Sequence, residues 1–137
     1  MLSTYLVLLA LFSLGESSEE YFDHQSADWH CRNPIEVSCN DNDCAKTDDQ
    51  ERTTMDLLFS EGGALSYGAY EGFWQGKGRV LKTEPFLVIF LEDAPWSWPP
   101  HRETNKQNIL IALDRKDHIA VVKAGGWAHP FVCKALR

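Results

Sequence analysis

No stretch of this chain approaches the ~20 consecutive apolar residues that a bilayer-crossing helix requires. The apolar run near the start, Tyr5 to Leu14, covers ten residues and is broken by Ser13. Basic charge is also scarce: 13 Lys and Arg stand against 20 Asp and Glu, a formal charge of −7. A field of that sign repels phosphate backbones and anionic lipid, so nucleic acid is excluded as an expected partner. A helical hydrophobic period of useful length is missing, and so are fixed-period repeats and low-complexity segments, which excludes helical bundles, solenoids and tails. What is present is an ordinary globular composition, 44% hydrophobic and 12% aromatic over 137 residues. That length suits one compact domain.

Residues 1–15 (MLSTYLVLLALFSLG) carry no charged side chain and end in small residues, Ser13 and Gly15, placed three and one before a cut; an acidic ESSEE follows. The pattern is that of a secretory signal peptide cleaved after Gly15. The alternative is a buried N-terminal helix, but apolar residues all round with no polar face make a poor surface helix. No Cys follows the run, so a lipid anchor has no attachment atom, and the mature protein is expected to be periplasmic or secreted without a stable membrane anchor. Residues 16–30 are polar with scattered aromatics and read as an N-terminal arm; residues 31–137 read as the β-domain.

Four cysteines in an exported chain favour disulfides. Three pairings are possible for Cys31, Cys39, Cys44 and Cys133. The preferred one joins Cys39 to Cys44 and Cys31 to Cys133, because IEVSC-NDND-CAKT reads as a hairpin in which Asn and Asp turn the chain and the two sulfurs face each other. The Cys31–Cys133 bridge then ties the two ends of the domain together. Zinc competes through His24, His30 and His129, yet Cys31, Cys39 and Cys44 match no paired-ligand spacing. An EF-hand frame started at Asp41 fails at Ala45, Lys46 and Arg52. No metal or cofactor is expected.

From Ile35 onward, short apolar or alternating stretches recur between turns. Met55, Leu57 and Phe59 alternate with polar residues, SEGGA turns, and Leu65, Tyr67 and Ala69 return on one face as a hairpin. FLVIFLE (86–92), apolar on both faces, reads as an innermost strand; residues 93–108, with Pro95, Pro99 and Pro100, read as a connecting loop. NILIALDRKDHIAVVKAGG gives a second hairpin and WAHPFVCK a last short strand, while Trp74 and Trp127 sit among small residues as core. The expected fold is all-β, a single small antiparallel barrel or sandwich of about seven to eight strands preceded by a signal peptide.

Catalytic motifs are missing. Gly63-Ala-Leu-Ser66-Tyr-Gly68 is one residue too long for a nucleophile elbow, and Gly76-Lys-Gly-Arg79 lacks the P-loop frame. Asp114, Asp117 and His118 crowd one predicted turn, where a solvated turn is the ordinary account of such a cluster. Trp96 and Trp98 alternate in the Pro-rich loop, so they either present a stacking platform to a saccharide or protein ligand or fold back to cap the barrel.

WHCRNPIEVSC (29–39) and ALDRKDHIAVVKAGGWAHPFVC (112–133) look like stretches of small exported bacterial β-proteins of uncharacterised function, a resemblance that spans most of the mature chain and implies no catalytic residues. ALSYGAYEGFWQGKG (64–78) is similar to the inhibitors of C-type lysozyme, antiparallel barrels whose loop, with a Ser, Gly, Arg and Tyr, plugs the lysozyme cleft; the Gly and Arg arrangement is not found around Ser66-Tyr67. The resemblance implies a barrel.

Function is therefore expected to be that of a non-enzymatic exported binding or structural module, with Trp96, Trp98, Tyr67 and Tyr70 as contact candidates. One alternative is a periplasmic inhibitor of a cell-wall hydrolase. Another is a small hydrolase or metal-binding protein using His118 and His129.

Overall fold

Alternating apolar side chains need a sheet that is buried on one face, and the short β-branched and aromatic runs of this chain form one. The computed structural model describes residue 22 and residues 24–69, 72–96 and 106–137. The proposed signal segment lies outside these. Among the described residues there are eleven strands and no helix: β1 (Trp29–Arg32), β2 (Val37–Asn40), β3 (Asp43–Lys46), β4 (Asp56–Phe59), β5 (Ala64–Ala69), β6 (Gly72–Lys77), β7 (Arg79–Lys82), β8 (Phe86–Ala94), β9 (Gln107–Asp114), β10 (Ile119–Ala124) and β11 (Trp127–Ala135). The all-β class is as expected from sequence, with more strands than the seven or eight anticipated.

The strands pair antiparallel in the order β6-β5-β4-β1-β11-β10-β9-β8-β7, and the β2–β3 hairpin hangs from β11. The sheet curls until its ends approach. An isolated bridge pairs Trp74 of β6 with Trp96 just beyond β8, and Gly78 donates its N–H to the Gly63 carbonyl at 2.9 Å, so the β4–β5 turn packs on the β6–β7 link. Gly63 has φ +100°, and a Cβ there would lie 2.6 Å from the Gly78 oxygen; only glycine suits that crossing. Curling the sheet places Phe59, Leu87, Ile89, Ile111 and Phe131 inside, all fully buried.

Two sequence expectations are corrected here. The packed domain begins within 16–30, because Ala27 is fully buried and Trp29 stacks on Phe59 with ring centroids 6.4 Å apart. Polar neighbours hide a strand only four residues long, and β1 lies between β4 and β11. Nor is residues 86–92 an innermost strand: β8 is next to last in the sheet path and buries Leu87, Ile89 and Leu91 while Phe86 is 44% exposed. Its outward apolar residues are covered only in part, Phe90 by the Arg79 guanidinium 5.7 Å from the ring centroid.

Both disulfides join residues that face each other in register. Cys31 on β1 opposes Cys133 on β11, and Cys39 on β2 opposes Cys44 on β3. The second closes a two-residue turn in which Asp41 and Asn42 have φ 47° and 68°, the left-handed values such hairpins demand and that Asp and Asn tolerate. No cysteine is left free. Two bridges indicate an oxidising, extracytoplasmic environment. One end of the barrel is latched by Arg115, which grips both oxygens of Glu61 at 2.7 and 2.6 Å and donates to the Thr83 carbonyl at 3.0 Å. Glu61 also accepts the Trp29 indole N–H at 3.1 Å.

Candidate functional site

Two of the four aromatic contact candidates, Tyr67 and Trp96, lie among the described residues, and both pack on Trp74. Tyr67, on β5, is fully buried: its ring lies 5.9 Å from Trp74 and 6.0 Å from Phe131. This corrects its reading as a ligand contact, because the inward face of a closing barrel has no solvent for a ligand to arrive from. Trp96 is half-buried, edge-on to Trp74 at 4.5 Å, with its indole N–H buried and without an acceptor among the described residues. It has folded back onto the core. Trp98 and Tyr70 lie outside the described residues. Trp74 is buried as expected, whereas Trp127 is only partly covered, 6.0 Å from the Trp74 ring. Ser66 and Tyr67 are both buried on β5.

Behind Tyr67 sits a buried polar cluster. The Val37 N–H donates to His129 Nδ1 at 3.3 Å, which leaves the Nε2 hydrogen of a neutral imidazole for the Tyr67 oxygen at 3.4 Å. Glu36 is buried alongside and accepts the Thr53 N–H at 2.6 Å. Burial pushes the Tyr67 phenol above its ordinary range, and the Glu36 charge adds to this. Burial also holds His129 below 6.5, its ordinary value, although Glu36 opposes the shift. The folded protein therefore binds fewer protons at this site than the unfolded chain, so stability is full above 6.5 and is lost as pH falls through that value toward the lowered one. Thermal unfolding followed from about pH 7 to about pH 5 is expected to show a falling midpoint, and His129→Gln to flatten that slope.

His118 and His129 do not come together. His118 stands at the β9–β10 turn, exposed, with its ring edge-on to Trp29 at 5.2 Å and its carbonyl accepting the Cys133 N–H at 2.8 Å. His129 lies four residues further back along β11, about 14 Å at the rise of a strand, and points into the core. Asp114 and Asp117 spend their carboxylates on the turn itself, accepting the N–H groups of Lys116 and Ile119 at 2.8 Å each.

A concavity of about 640 Å³ lies on the outer face of β1 and β11, lined by His30, considered above only as a zinc ligand, and by side chains not among the contact candidates, Arg32, Arg52 and Lys134. Register puts Lys134 opposite His30 and Val132 opposite Arg32, while Arg32 in turn opposes Asp56. Asp56 takes His30 Nε2 at 2.7 Å and Arg32 Nε at 2.9 Å on one oxygen. Partial burial raises the Asp56 carboxyl, and the hydrogen bonds from His30 and Arg32 outweigh it, holding the group below the usual carboxylate value. Arg52 closes the far side, its Nη1 donating to the Asn33 carbonyl at 3.1 Å and to that of Pro34. Nothing in spacing could have found this site, because its parts come from residues 30–34, 52–54 and 132–134.

No family model, no curated protein and no solved structure matches the chain. Fold and site define its class: an antiparallel sheet nearly closed into a barrel, stapled by two disulfides, with Arg32, Arg52 and Lys134 around a hollow on its outer face.

Proposed function

We propose that this protein is an exported, non-enzymatic β-domain, periplasmic or secreted, that acts by binding a protein or saccharide ligand at its outer surface. One observation carries the reading. The inside of the barrel is filled by fully buried side chains such as Tyr67, Phe59 and Phe131, so recognition belongs to the outside, where Arg32, Arg52 and Lys134 line a concavity. The two disulfides suit a small domain that must hold its shape outside the cell without further support. His118 and His129, the pair on which the hydrolase alternative rests, stand apart, one exposed at a turn and one buried, which favours the binding reading over that alternative.

The test is expression with residues 1–15 in place, followed by fractionation and N-terminal sequencing. Recovery outside the cytosol with Glu16 as the first residue is expected. Full-length protein confined to the cytosol would overturn the reading.

A further inference from the structure

We infer that the concavity between β1, β11 and the 52–54 segment is a binding site for a compact organic anion, one oxyanion group carried on a body about the size of a single sugar ring. This names the ligand class of the surface proposed above and rests on that reading. In a chain of net charge −7, Arg32, Arg52 and Lys134 gather around one hollow, and His30 forms part of its wall. Asp56, at its edge, is shared between His30 and Arg32. Arg52 and Lys134 form no ion pair among the described residues. Positive charge is thus concentrated locally against the average of the molecule.

The donors are also held ready. Asn33, only 2% exposed, accepts the Met55 N–H at 2.7 Å and donates to the Ile35 and Thr53 carbonyls at 3.1 and 3.0 Å, which locks the 52–55 segment against the end of β1. Arg52 then spends Nη1 on two backbone carbonyls and keeps Nε and Nη2. Arg32 spends Nε on Asp56 and keeps both Nη groups. A guanidinium fork with hydrogens left over matches an oxyanion, and a fork already fixed loses little freedom on binding. Pro34 and Val132 add apolar wall for the body of the ligand. The volume lies in the range of small-molecule sites, roughly 300–1,000 Å³. A long polyanion is disfavoured by the field of the whole chain, whereas a short one meets only the local charge.

The oxyanion could be a carboxylate or a phosphate, and the experiment separates them. Backbone amide resonances of the oxidised full chain are followed during titration with glucuronate, glucose 6-phosphate, inorganic phosphate and neutral glucose. Saturable shifts at residues 30–34, 52–54 and 132–134 are expected with at least one of the two sugar anions and not with glucose, the tighter of the two identifying the oxyanion. Affinity should drop about tenfold or more in Arg32→Gln and in Lys134→Glu, as for loss of a charged hydrogen bond, and should weaken in about 0.5 M salt. Both side chains are exposed, so each variant should melt like the parent. Non-saturating shifts, shifts on another face, or equal affinity in Lys134→Glu would overturn the assignment. Saturable binding of glucose elsewhere would do so while leaving the binding-module reading in place.

Discussion

Replacing Cys31 and Cys133 together by alanine is expected to cost on the order of 4 kcal/mol, the chain-entropy value for a bridge closing a loop of 102 residues. For a domain of this size that is a drop in melting midpoint on the order of 15 °C. The reason lies in topology. β1 enters the sheet between β4 and β11, so the first and last strands of the domain are neighbours and share one covalent staple. Without it, the unfolded chain regains the freedom of nearly its whole described length. Cys39 and Cys44 are only five residues apart, and their hairpin lies at the side of the barrel, joined to β11 by the Trp127–Ser38 register pair, the Cys39 N–H on the Gly126 carbonyl and the Val37 N–H on His129 Nδ1. Removing that bridge is expected to cost about 2 kcal/mol at most, much of it in local opening of the hairpin. Circular dichroism melts of the two double variants check the order; equal losses would mean that the terminal strands do not depend on their staple.

Tyr67→Ala should be nearly as damaging, about 3–5 kcal/mol, because the ring is fully buried between Trp74 and Phe131 and its removal leaves a cavity. Tyr67→Phe keeps the ring and removes only the hydroxyl that meets His129 Nε2, at about 1 kcal/mol for a buried donor left unmatched. Urea unfolding measures both. A Tyr67→Ala protein that unfolds at the parent's midpoint would return this residue to the surface and the aromatic-contact reading with it.

The parts of the fold legible in the sequence are those in which neighbouring residues suffice. Cys39-Asn-Asp-Asn-Asp-Cys44 turns and staples as its own composition demands, Leu57 to Tyr67 pair across a short Gly-bearing turn, and Ile109 to Ala124 pair across Asp114 to His118. What could not be read is what depends on distant partners. Trp29–Arg32 is four residues of mixed polarity, a strand only because β4 and β11 supply hydrogen bonds on both sides. The run at 86–92 is apolar throughout, yet which of its faces is buried is decided by where β8 falls in the curl of the sheet. At the site, the difference is larger. Aromatics drew attention because Trp96 and Trp98 alternate in a Pro-rich loop, but Tyr67 and Trp96 serve the core. Arg32, Arg52 and Lys134 are unremarkable where they stand in the chain, and only the pairing of β1 with β11, together with the bonds that hold Arg52 to the end of β1, brings them around one hollow.

Non-reducing peptide mapping of the protein recovered outside the cytosol, after alkylation, bears most directly on a disulfide-stapled β-domain that works from its outer surface. Peptides joining Cys31 to Cys133 and Cys39 to Cys44, with no alkylated thiol, are the predicted result. Four alkylated cysteines, or sulfurs bound to a metal ion, would contradict it.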